Sequence, residues 1–349
     1  MQIEDPTRAR EREFFQNCAA QAQLADELGY HCLWAVEHHG LYEYSHSSAP
    51  EVFLSYVAGC TKRIRLGHGV SLTPYRFNHP IRVAERVATL DILSNGRVSW
   101  GSGKSSSNVE ADIFEINRLE LNPQWEEALQ MIPRIWQDDI FQWEGNYYHV
   151  PPTHIVPKPV QRPHPPIFIS GSYSKESLVR IGGLGVGVLN FSVGSYEDLL
   201  QKVKLYKSTV AKSSPEGWQK NDHFALTANT CVLPDDDEAW RHGFRGARYF
   251  RSAFDRYYAS KERPSLGPLG APVDDVSDEM LGLAKKMRMN DNSYLLSIIG
   301  DPSIAREKVE MFKEAGVDEL MLIMQLGTIP HDVICRSMKC FAENVLPYA

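Results

Sequence analysis

Three short runs carry side chains that could do chemistry. Glu37-His38-His39 follows the apolar run Cys32-Leu-Trp-Ala-Val36, so at least one imidazole stands at a strand end, where histidine can exchange protons near neutral pH. Gly101-Ser-Gly-Lys104-Ser-Ser-Ser107 offers pliable amides, hydroxyls and one cation, a set suited to a phosphate. Ser170-Gly-Ser-Tyr-Ser174 has a similar composition between a strand and a helix, where unpaired helix amides face an anion. Two such loops on one face predict one shared phosphate. The plainer alternatives are a histidine hydrogen-bonded to its own loop and a solvated polar turn.

Spacing removes several other chemistries. A nucleoside-triphosphate loop ending at Lys104-Ser105 needs glycine at position 98, which is Val98. Gly182-Gly-Leu-Gly-Val-Gly187 misses the dinucleotide fingerprint because its last glycine comes one residue early. His38 and His39, being adjacent, point to opposite sides of an extended chain, which argues against a shared metal ion. His46, His68 and His79 keep a barrel metallohydrolase as a rival, but there is no H-x-H pair at a strand end and no H-E-x-x-H helix.

The elements that must position these runs alternate. A helix from about Arg10 to Leu28 stops at Gly29, and strands begin at Cys32, Ile64, Arg97, Ile167, Val186, Phe224 and Glu319. Helices fall between them, at Pro50 to Cys60, Pro80 to Leu93, Trp125 to Gln137, Lys175 to Ile181, Tyr196 to Val210 and Asp235 to Tyr258. Pro302 opens another helix that Gly316 closes, and His331 to Leu346 forms the last. This pattern predicts a TIM-type (β/α)8 barrel in a single domain over 1–349, with insertions at about 101–165 and 259–294. The Pro-rich stretch Pro151 to Pro166 reads as an insertion over the barrel mouth, and Lys261 to Ser277 as the most mobile region. Only Met1-Gln-Ile3 is available for a strand before the first helix, so the first strand is expected to be unusually short or truncated.

The chain has 349 residues, 43% hydrophobic and 23% charged, with a net charge of −7, which excludes disorder and gives no attraction to nucleic acid or anionic lipid. Six scattered cysteines without a C-x-x-C pair read as reduced thiols, and neither a leader nor a membrane span is visible, so a cytoplasmic protein is expected. Trp34, Tyr42, Tyr44, Tyr75 and Phe191 fall near the expected mouth and suit an apolar ligand, though each could equally be core packing.

Taken in order, Trp34-Ala-Val-Glu-His-His-Gly40, Glu43-Tyr-Ser-His-Ser-Ser-Ala-Pro50, Arg63-Ile-Arg-Leu-Gly-His-Gly-Val70, Asn78-His-Pro-Ile-Arg-Val-Ala-Glu85 and Leu90-Asp-Ile-Leu-Ser-Asn-Gly-Arg97 resemble the bacterial luciferase-like flavin-dependent monooxygenases. The resemblance continues through Val156-Pro-Lys-Pro-Val160 and Gly300-Asp-Pro302 to Ile323. It implies a TIM-like barrel that binds reduced FMN at the strand C-termini, a separate flavin reductase, and oxygenation of a small organic substrate by O2 through a flavin C4a peroxide. A homodimer is implied as well. By position, His38 corresponds to the family's acid/base histidine, and Gly69-Val70 to a non-prolyl cis peptide beside the flavin ring. Lys104 stands where the luciferase α chain has a phosphate-binding arginine; Ser106 belongs to that loop, and Ser172 and Tyr173 to the second phosphate loop. Lysine keeps the charge but gives up the bidentate fork. His46, Tyr75 and Phe191 are the expected substrate contacts. The alternatives are a deazaflavin-dependent oxidoreductase of the same superfamily and a non-catalytic flavin-binding homologue.

Overall fold

The computed structural model describes residues 7–171, 174–191, 194–259, 264, 275–287, 296–327 and 329–348. Helix α1 (Arg8–Leu28) is capped by the Thr7 hydroxyl and ends at Gly29, whose φ of 84° is the left-handed conformation that glycine adopts without strain. The chain then alternates β1 (Cys32–Ala35), α2 (Pro50–Cys60), β2 (Arg65–Leu72), α3 (Pro80–Leu93) and β3 (Val98–Gly103). After α4 (Asn108–Ile113) and α5 (Leu121–Gln137), an antiparallel hairpin, β4 (Phe141–Glu144) with β5 (His149–Thr153), lies outside the main sheet. The alternation resumes with β6 (Ile167–Gly171), α6 (Lys175–Leu184), β7 (Gly187–Asn190), α7 (Tyr196–Lys212), β8 (Phe224–Val232) and α8 (Asp236–Tyr258). It closes with α9 (Asp278–Met287), β9 (Ile298–Gly300), α10 (Pro302–Glu314), β10 (Glu319–Ile323) and α11 (His331–Asn344).

The strands form one parallel sheet in the order β1-β2-β3-β6-β7-β8-β10, with β9 added at the far end of β8. Side chains alternate across it as a two-residue period requires. Trp34, Val70, Phe168, Leu189, Ala225 and Met321 pack together on one side, and Leu66, Val98, Trp100, Ile167, Val188 and Phe224 pack with the helices on the other. Among the described residues β1 and β10 are not paired with each other, and a side-chain contact spans the seam: Trp34 Nε1 donates to Glu319 Oε1 at 2.6 Å, while His223, just before β8, lies 3.1 Å from Glu319 Oε2 on the other side. The expectation for Met1-Gln-Ile3 lies outside the described residues, as does most of Lys261 to Ser277.

Two expectations are corrected here. The Pro-rich stretch does not cover the mouth. Val160 and Gln161 donate backbone amides to Asp91, near the end of α3, and Pro166 accepts from Trp100 early in β3. These contacts put it at the opposite, amino-terminal face, because a chain leaving α5 must return there to start another parallel strand. The second correction is β9, which sequence periodicity did not identify; a three-residue strand shows too little alternation.

Several residues of the ordered motifs are structural. Asp26 accepts the backbone amides of Lys62, Arg63 and Ile64, and the Arg97 fork donates to the carbonyls of Ala58, Thr61 and Ile64. His68 on β2 is fully buried, neither of its ring nitrogens has a partner among the described residues, and burial pushes its pKa down to about 4. An unfolded histidine near 6.5 binds protons that this folded one refuses, so the stabilisation is complete above pH 6.5 and is lost as pH falls toward 4. The expected loss over that window is about 3 kcal/mol, read as a falling urea midpoint. In His68→Thr this part of the pH slope disappears; an unchanged slope would assign the acid sensitivity elsewhere.

Candidate active site

A cavity of about 1270 Å³ runs along the inner face of the sheet and continues through the seam between β1 and β10 to α1 and α11. The walls of its inner part include loops at the carboxyl ends of the strands, the positions an α/β sheet leaves free for chemistry. The loop after β1 contributes His38 and Tyr44, the end of β2 Gly69 and Val70, and the loop after β3 Lys104, Ser105 and Ser106. From the second half come Ser170, Ser177, Arg180, Phe191 and the last turns of α8.

His38 and His39 part company as alternation requires. His39 is packed between Phe77 and Phe114 and lies 3.2 Å from Glu37, whose carboxylate also accepts from Leu72 N and Asn78 Nδ2. That cluster holds the loop. His38 turns to the cavity, with Nδ1 3.2 Å from Glu110 Oε1 and 3.3 Å from the Tyr258 hydroxyl. Glu110, on α4, is fully buried and also accepts from His39 N and the Ser105 hydroxyl. Burial alone would raise its pKa, but these hydrogen bonds, His38 foremost, hold it below the usual carboxylate range. An ionised Glu110 can only accept, so it keeps the imidazole proton on Nδ1 and leaves Nε2 as the basic nitrogen.

The Gly69–Val70 peptide is cis, and the β2–β3 register shifts between His68 and Ser71. The neighbouring strand has glycines where this backbone intrudes. A Cβ on Gly101 would stand 2.3 Å from the His68 carbonyl oxygen, and one on Gly103 2.2 Å from Val70 Cγ2. The glycines of the first serine-bearing run therefore end β3 and make room for Val70.

Lys104 and Arg180 flank the Trp125 indole, with Nζ 5.8 Å and Cζ 5.2 Å from the ring centroid. Lys104 donates to Asn122 Oδ1, and Arg180 pairs with Glu126. Burial, and then the neighbouring Arg180 charge, hold Lys104 below the usual lysine range. Exposed Ser106 adjoins them, and α6 starts beside them, with the Ser174 hydroxyl capping Ser177 N. Ser172 and Tyr173 lie outside the described residues.

The structure brings His38, Gly69, Val70, Lys104, Ser106 and Phe191 onto one cavity and leaves two expected contacts off it. His46 is held by Glu11 at 3.1 Å and the Tyr42 carbonyl at 2.7 Å. Tyr75 is exposed and packs on His79 and Tyr148. Glu110, Tyr258 and Arg180 were not foreseen. Only Arg180 had a signal, three residues after Ser177 on the same helix face. Among the described residues no three His, Cys, Asp or Glu side chains could hold a metal ion, and no helix is long and apolar enough to cross a membrane.

A family model described as luciferase-like monooxygenase matches residues 3–319. Limonene 1,2-monooxygenase of Rhodococcus erythropolis is 34% identical over 93% of this chain and 78% of its own. The oxygenase component of a flavin-dependent trigonelline monooxygenase from Acinetobacter baylyi is 24% identical over 91% of this chain and 85% of its own. Among solved structures, the oxygenating constituent of 3,6-diketocamphane monooxygenase from Pseudomonas putida, in complex with FMN, superposes with a TM-score of 0.73 at 20% identity. That superposition covers 99% of this chain and 94% of the other.

Proposed function

Because this chain belongs to the luciferase-like monooxygenase family, we propose that it is the oxygenase component of a two-component system. In this proposal it takes reduced FMN from a separate flavin reductase and uses O2 to oxygenate a small organic substrate. One cavity joining His38, the Gly69–Val70 peptide and the Lys104–Arg180 pair is the observation that carries the proposal. The named activities of the trigonelline and diketocamphane relatives support it. We further propose a single barrel domain acting as a cytoplasmic homodimer.

The cavity lining offers groups suited to both ends of the cofactor. Lys104 and Arg180, with Ser106 and the first turn of α6, would hold the phosphate; Trp34, Val70 and Leu189 offer an apolar bed for the ring. Bound reduced FMN supplies electrons and activates dioxygen, so that one oxygen atom enters the substrate and the other leaves as water. His38 holds or moves a proton at Nε2, Glu110 fixes its tautomer, and the walls exclude bulk water. Anaerobic titration with reduced FMN, followed by rapid mixing with oxygen, tests this. The expected result is saturable binding, then reoxidation slower than that of free flavin. Failure to bind reduced FMN, or binding only of a reduced deazaflavin, would overturn it.

A further inference from the structure

The proposed function leaves the substrate unnamed, and the far wall of the cavity bears on it. Phe250, Phe254 and Tyr258 stand four residues apart on α8, so their side chains share one helix face. Phe254 and Tyr258 are stacked, with centroids 4.9 Å apart and planes 25° apart. Tyr44 meets Tyr258 edge-on at 5.4 Å and 70°, and lies 5.7 Å from Phe250. His38 closes the corner 5.2 Å from Tyr44. Tyr44 thus crosses the Phe254–Tyr258 stack at 57° and 70°, and the aromatic planes meet at a steep angle beside the proposed proton carrier.

Most charged groups lining the cavity lie elsewhere. Lys104 and Arg180 belong to the Trp125 end, and Asp318 and Glu319 mark the start of β10, across the sheet from this corner. Glu110, behind His38, already accepts from His38, His39 and Ser105. Glu43, beside Tyr44, accepts from the Tyr257 hydroxyl and lies 3.8 Å from the Arg256 guanidinium, so among the described residues of this wall these two charges are committed to each other rather than offered to an ionic ligand. A neutral ring loses least on leaving water and can stack on one face while meeting the other edge-on.

We propose that Tyr44, Phe250, Phe254 and Tyr258, with His38 and Phe191, form a binding site for an uncharged ring compound, aromatic or alicyclic, which is the substrate class of this protein. The binding site stands on its own geometry, and its role as substrate site rests on the function proposed above. Toluene, benzoate and N-methylpyridinium have similar size and differ in charge, so ligand-observed NMR titration of the full chain without flavin separates the cases. Toluene is expected to bind saturably and at least tenfold more tightly than either ion. Phe254→Ala should weaken toluene at least tenfold, and Phe254→Leu, which keeps an apolar filling, by less. A parallel reduced-FMN titration keeps the two proposals apart: toluene binding without FMN binding supports this site while removing the flavin. Tighter binding of N-methylpyridinium or benzoate would overturn the inference. So would toluene affinity unchanged in both Phe254 variants.

Discussion

Replacing His38 with alanine is expected to lower turnover by about two to four orders of magnitude, the range over which a positioned general acid or base acts. The affinity for reduced FMN should change by less than about threefold, because the phosphate cradle and the apolar bed are built from other loops. The reason lies in the Glu110 contact. A buried carboxylate that accepts from His38 Nδ1, His39 N and the Ser105 hydroxyl fixes both the ring's orientation and its tautomer. Glu110→Gln keeps the shape but introduces an amide that can donate, so the tautomer is no longer enforced. Its expected effect is a smaller fall in kcat with KM nearly constant. Steady-state kinetics with saturating reduced flavin, combined with flavin titration of each variant, make the measurement. A His38→Ala protein with wild-type kcat would remove His38 from the proton-handling role.

Reduced FMN should bind about ten to a hundred times more weakly to Lys104→Ala, and comparably so to Arg180→Ala, while riboflavin affinity stays nearly constant. Each charge-assisted hydrogen bond to a phosphate contributes about 1.5 to 3 kcal/mol, which sets that range. The two cations already crowd one indole, and burial together with the Arg180 charge disfavours protonated Lys104. A dianion between them would relieve that repulsion, so adding salt should weaken FMN more than riboflavin. Equal losses for FMN and riboflavin would place the phosphate elsewhere. An unchanged affinity in Arg180→Ala alone would return Arg180 to its ion pair with Glu126.

Much of this protein was legible in its residue order. Gly29, Pro302 and Gly316 mark helix ends because a left-handed cap or a fixed φ is a property of one residue and its neighbours. The strand starts at Cys32, Phe224 and Glu319 were visible from short apolar runs, and the order of local motifs identified the family. Tertiary structure decided which of two adjacent histidines meets the cavity, and it placed His46 and Tyr75 away from it. It also supplied Glu110, Tyr258 and Arg180 from positions far along the chain. Sheet order and strand register set those distances, and both follow from burying many side chains at once, so no local spacing can encode them.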